Sequence, residues 1–129
     1  MNSGKYTLKG KAVDPPKTLI SHTAMFTGLA PDESGYVINV WEQGKPVVAR
    51  ETIFNLAHSK GMRTGFFYSK EKLGFLVNSK VDRYYMSPDY AYSYALDFIK
   101  NKKNNFVFLH ISGLEDAGTE FGWMSKEYL

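Results

Sequence analysis

The sequence predicts an α/β domain in which helices pack on a small, mostly parallel sheet. Segments with apolar residues at helical spacing alternate with short apolar runs of strand length, the pattern of a sheet built through right-handed helical crossovers. Residues 106–111 form an apolar run of strand length after an Asn-Asn turn, the form expected of a parallel strand covered on both faces. With 129 residues, 43% of them hydrophobic, the chain has material for one core, and residues 1–129 are read as a single α/β domain.

Taken in order, Asp14-Pro15-Pro16 ends the strand expected over residues 6–13, since proline removes a ladder donor. Residues 17–28 read as a helix with Thr18 near its N-cap, Ile20, Ala24 and Met25 on one side, and Gly28 as its stop. A turn over 31–35 leads into an extended segment over 36–41, and a second turn over 43–46 leads to its expected partner, 47–49. Ile53, Phe54, Leu56 and Ala57 lie at helical spacing within 52–60, and Gly61 stands where a left-handed residue ends a helix.

A strand is expected over 62–68, a short helix capped by Ser69 and running through Leu76, and a further strand over 81–86. Ser87-Pro88 pairs a capping residue with a first-position proline. Ala91, Tyr94, Ala95, Phe98 and Ile99 then recur at i, i+3, i+4, i+7 and i+8, and Lys100, Lys102 and Lys103 complement the helix dipole. Residues 112–118 follow the last strand as a solvated loop.

Sixteen Lys and Arg against 13 Asp and Glu leave a net charge of +3 without a basic tract, which does not point to nucleic acid. The absence of cysteine excludes disulfides, thiolate zinc sites and cysteine nucleophiles. No stretch approaches the ~18 apolar residues of a membrane span, and the first ten residues lack the apolar centre of a signal peptide. A soluble chain without a membrane partner is expected, and its compartment is left open.

Ligands of open α/β sheets sit beyond the carboxyl ends of the strands, which directs attention to Glu115-Asp116 after the last strand. Thr18 places a hydroxyl among the free N–H groups of a helix start, where a phosphate is stabilised, although a plain N-cap is the commoner use. His110-Ile111-Ser112 matches half of a two-histidine phosphoesterase signature, but His22-Thr23-Ala24 lacks the second hydroxyl, so His110 reads as a core or strand-end residue and the helical His22 as a packing or surface one. Tyr84-Tyr85-Met86-Ser87 with Tyr94 and His22-Thr23 loosely resembles ADP-ribosyltransferases, and aromatic residues at helical spacing more often form core.

Residues 18–31, with Thr18, Ser21-His22, Met25, Thr27-Gly28 and Pro31, followed by Ser34-Gly35, Asn39 and Trp41, resemble the nucleophile region of the alkaline phosphatase superfamily. The similarity is to its type I phosphodiesterase and nucleotide pyrophosphatase group, whose text there is T-x-P-S/N-H-x-x-M-x-T-G-x-x-P-x-x-H-G. Residues 52–67 are similar to the next helix and strand, and residues 106–129, with Gly118, Gly122-Trp123, Ser125 and Tyr128, resemble the metal segment D-x-x-G-H-x-x-G-W. The match is colinear from Thr18 to Leu129.

The resemblance implies a phosphoric ester hydrolase using two metal ions, usually zinc, with Thr18 as nucleophile, Ser21 and Asn39 as phosphate contacts and Glu115 as a weak metal ligand. Four departures stand against it: Glu115 replaces a metal-binding Asp, Thr119 a metal-binding His, Ser34 a His and Ile20 a Pro. Threonine is a poor zinc donor beside imidazole. The family's first metal Asp and its D-H-G segment have no counterpart here, so by the resemblance most metal ligands lie outside this chain. The expected activity is therefore incomplete, in a fragment of a phosphodiesterase or in a derived module that binds a phosphoester or a partner without catalysis. Unpaired sheet edges would then favour a homodimer or swapped assembly.

Overall fold

A computed structural model describes residues 9–100 and 104–129. The chain runs α1 (Thr18–Thr27), α2 (Pro31–Ser34), α3 (Ile53–Ser59), β1 (Arg63–Tyr68), a 3-10 turn (Glu71–Leu76), β2 (Arg83–Met86), α4 (Ala91–Lys100), β3 (Asn105–Leu109) and α5 (Gly113–Phe121). The three strands are ordered β2-β1-β3 and all pairs are parallel, with Phe66 opposite Tyr84 and Phe108. This is the α/β architecture expected from the alternation of helix and strand patterns.

Strand alternation divides the core. Phe66 and Tyr68 point to the side of α1 and α3, where Leu19, Phe26, Phe54, Leu73 and Leu76 pack around them. Phe67 points the other way, against Ala91, Ala95 and Phe98 of α4. A Cβ on Gly65 would lie 2.9 Å from the Phe67 ring and 3.0 Å from that of Phe98, so a glycine there lets α4 close on β1.

Several local expectations are corrected. The strand over 106–111 ends at Leu109 and is an edge of the sheet: β3 is only half-buried and Leu109 is exposed. β1 is the strand covered on both faces. β2 is exposed along its whole length, so Tyr84 and Tyr85 are surface aromatics rather than core. Residues 36–41 and 47–49 form no ladder; the Ala49 N–H donates instead to the Tyr36 hydroxyl, and the Val48 N–H to the Phe75 carbonyl.

Residues 31–34 close into a short helix rather than a turn, ended by Gly35 at φ 77°. α4 starts at Ala91, and the Ser87 hydroxyl caps the turn before it by accepting the Tyr90 N–H. Residues 112–118 are not a loop but enter α5, whose first turn holds Glu115 and Asp116 at the positive end of the helix. Residues 9–13 form no strand; residues 6–8, Lys102 and Lys103 lie outside the described residues.

Candidate functional site

The two parallel strands β1 and β3 finish at the same edge of the sheet, and the residues that follow them meet there. The His110 N–H donates to the Phe67 carbonyl, extending the ladder by one bond and fixing the imidazole at that edge. Its Nδ1 lies 3.0 Å from the hydroxyl oxygen of Ser69, a buried residue directly after β1. Ser69 therefore serves His110 and does not cap the following turn, whose cap residue is Lys70.

Helix α1 lies across this edge. Its C-terminus is set by Gly28, at φ 72°, whose N–H returns to the Ala24 carbonyl. Its N-terminus has Lys17 at the cap and no capping side chain of its own. Thr18 is the first helical residue, and the missing cap comes from a distance: Oδ1 of Asn39 accepts the Leu19 N–H at 2.9 Å. This leaves the Asn39 amide Nδ2 as the donor it can offer a ligand.

The fourth residue beyond Thr18 is His22, which bonds the Thr18 carbonyl through Nδ1 at 2.7 Å. That bond requires the proton on Nδ1 and leaves Nε2 as a lone pair. The His22 ring stands 5.0 Å from the His110 ring in an edge-on arrangement. The two histidines that failed the paired signature on sequence are thus neighbours.

Burial lowers the pKa of His110 to about 4, with His22 and the Lys70 ammonium adding to the effect and Glu115 opposing it. Burial also lowers that of His22, against the favourable Thr18 carbonyl and together with Lys70. Both rings are neutral at pH 7. Because the folded chain refuses at His110 a proton that the unfolded chain accepts near pH 6.5, the stability this ring contributes is complete above pH 6.5 and is lost as pH falls towards 4. Thermal melts from pH 7.5 to 4.5 are expected to show a steeper decline in the native protein than in His110→Gln; parallel profiles would refute this.

Ser21 lies in the first turn of α1. Thr23 and Thr27 on the same helix return their hydroxyls to the carbonyls of Leu19 and Thr23, the usual escape for a helical hydroxyl. The Ser21 oxygen is buried and has no partner among the described residues. A buried polar atom of this kind calls for a water or a ligand.

The residues aligned with the metal segment do not fit a zinc site. Glu115 is bound through a carboxylate oxygen to the Lys70 ammonium. The Thr119 hydroxyl donates back to the Glu115 and Asp116 carbonyls of its own helix, and Asp116 accepts from Ser112. Among the described residues no group of three His, Cys, Asp or Glu is placed to hold a metal.

Lys70, which the sequence analysis did not single out, thus holds the carboxylate that the resemblance assigned to a cation. The rule that led to Glu115, the carboxyl end of a buried parallel strand, applied equally to Ser69 and Lys70 after β1. No described helix is long and apolar enough to cross a membrane. Compared with protein-family models, curated proteins and solved structures, the chain gives no match in any of the three.

Proposed function

We propose that this chain recognises a phosphoester at the first turn of α1, with Lys70 supplying positive charge, and does not turn it over on its own. The observation that carries the reading is the partnerless buried hydroxyl of Ser21 in that turn, beside the positive end of a ten-residue helix. Thr18 adds a second hydroxyl, Asn39 an amide donor, and neutral His22 and His110 border the turn without adding charge.

Catalysis needs more than binding. The Thr18 hydroxyl has no hydrogen bond to a carboxylate or an imidazole among the described residues, since His22 holds the Thr18 carbonyl instead. An alcohol without a base or a metal is a weak nucleophile. The donor set around Glu115 offers no replacement for the metal pair, because its carboxylate already neutralises an ammonium.

Calorimetric titration with phenyl phosphate should therefore give saturable binding that is unchanged by EDTA. Bis(p-nitrophenyl) phosphate with added Zn²⁺ should give no turnover, and turnover that disappears in Thr18→Ala would overturn the non-catalytic part of the proposal. Absence of phenyl phosphate binding would overturn the rest.

A second reading, an oligomerisation module on the same fold, is favoured by the far edge of β3. No described strand pairs with it, and Leu109 and Ile111 beside it are 38% and 60% exposed. Such an edge invites a second copy. A homodimer mass is expected by light scattering at micromolar concentration, and a monomer mass would count against it.

A further inference from the structure

A second concavity lies along β2, the outer strand on the side of the sheet away from β3. The chain over residues 41–47 stands away from β2 and encloses with it a cleft of about 550 Å³, walled by Trp41, Tyr68, Tyr84 and Met86 and carrying Lys45 and Glu71. It shares no lining residue with the turn of α1 or with Lys70.

Its construction is specific. The Trp41 indole donates from Nε1 to the Pro46 carbonyl at 3.0 Å, while its six-membered ring lies so close to Gly74 that a Cβ there would be 2.4 Å away. Only glycine admits that placement. The same Cβ position is 3.2 Å from the Tyr68 hydroxyl, so this phenol emerges beside Trp41 at the floor of the cleft.

Tyr68 is 5% exposed, yet among the described residues its hydroxyl makes no hydrogen bond. Tyr68 lines the cleft, so the open partner of its hydroxyl is solvent or a ligand there. Burial, then the nearby Tyr84 and Glu71, raises its pKa to about 12, so the hydroxyl keeps its proton and can donate. Tyr84, opposite, is 55% exposed, a large aromatic face with no core role.

We infer that this cleft binds a neutral saccharide, one pyranose ring lying on the exposed face of Tyr84 and a ring hydroxyl bonded to Tyr68, with Trp41 as the facing wall. Charge decides against an ionic ligand: the walls hold one cation, Lys45, and one anion, Glu71. A pyranose has an apolar C–H face for an aromatic wall and a rim of hydroxyls that are donors and acceptors at once. Tyr68, Lys45, Glu71 and Gln43 offer both kinds of partner to that rim.

The test is calorimetric titration of the full chain with methyl glucoside, methyl galactoside, methyl mannoside, cellobiose and maltose, with adenosine and p-cresol as planar aromatic controls. At least one saccharide should bind saturably with a dissociation constant near or below ~1 mM. Tyr84→Ala, a surface change, should weaken it about tenfold, the scale of one lost stacking contact. Tyr68→Phe should weaken it about threefold to tenfold, the scale of one neutral hydrogen bond.

Thermal melts of both variants close to the parent exclude misfolding as the cause. Should either variant melt well below the parent, Gly74→Ala, which displaces Trp41 without touching β2, must still abolish binding. No saccharide binding, saccharide binding indifferent to Tyr84, or binding of adenosine or p-cresol in place of saccharides would each overturn the inference. The phenyl phosphate titration is a separate measurement, so failure of one reading leaves the other standing.

Discussion

Lys70→Ala is expected to weaken phenyl phosphate binding by roughly 10- to 100-fold, because a charge-assisted hydrogen bond to a buried or half-buried anion contributes about 1.5–3 kcal/mol. Lys70 is well placed for this: its side chain is 21% exposed, and its ammonium affects both His22 and His110. In the free protein it is bound to Glu115, so an incoming phosphate competes with that carboxylate. Glu115→Gln should accordingly strengthen phosphate binding, by roughly threefold to tenfold, since Glu115 is half exposed and solvent screens its charge.

The sign of the Glu115→Gln effect separates two chemistries. If the carboxylate held a catalytic metal, its loss would weaken binding, and the weakening would be reproduced by EDTA. If it is the counter-ion of Lys70, its loss strengthens binding and chelator does nothing. Calorimetry on the two variants with and without EDTA reads this directly, and weaker binding in Glu115→Gln would sink the ion-pair account.

The largest stability effect is expected at Phe66. Its ring is fully buried on the central strand, with centroids at 4.6 Å to Tyr68, 5.2 Å to Phe26, 5.6 Å to Phe54 and 5.9 Å to Phe108. These neighbours come from α1, α3 and β3 as well as β1 itself, so no single element can shift to fill the space. Phe66→Ala should cost about 3–5 kcal/mol, a large part of the ~5–15 kcal/mol that holds a typical domain folded.

Urea unfolding would show the midpoint falling sharply with little change in slope. Phe66→Leu should cost about 1–1.5 kcal/mol, since most of the volume is kept. By contrast Tyr84→Ala, on the exposed edge strand, should stay within about 0.5 kcal/mol of the parent. A Phe66→Ala midpoint close to the parent's would mean that the core is not centred on β1.

The elements legible in the sequence are those whose signals are local. Gly28 and Gly61 mark the ends of α1 and α3 with positive φ, and the apolar spacing of Ala91, Ala95 and Phe98 does place those residues inside α4. α5 was hidden because Gly113 and Gly118 lower helix propensity. Tertiary packing overrides that: a Cβ on Gly118 would lie 2.5 Å from the Trp123 ring, so the glycine admits that contact where a larger residue would displace the ring.

The site was legible in part. A helix start at Thr18 follows from prolines before it and a glycine after it, all within a short stretch of chain. The partners of that start do not. Asn39 caps it from 20 residues away, His110 reaches His22 from the end of another strand, and Lys70 claims Glu115 across 45 residues. The same limit misread the edge aromatics Tyr84 and Tyr85, whose pattern resembles core and whose exposure depends on which strand is central.

By itself, then, the sequence determined the α/β class, the approximate positions of its principal helices and strands, and the helix start that carries the candidate phosphate site. Only the tertiary structure decided that β1 is the covered strand, that Glu115 pairs with the Lys70 ammonium, and that an aromatic cleft opens along β2. The physical reason is range. Backbone dihedrals, caps and periodicity act over a few residues, whereas charge pairing and burial depend on which distant segments the folded chain brings side by side.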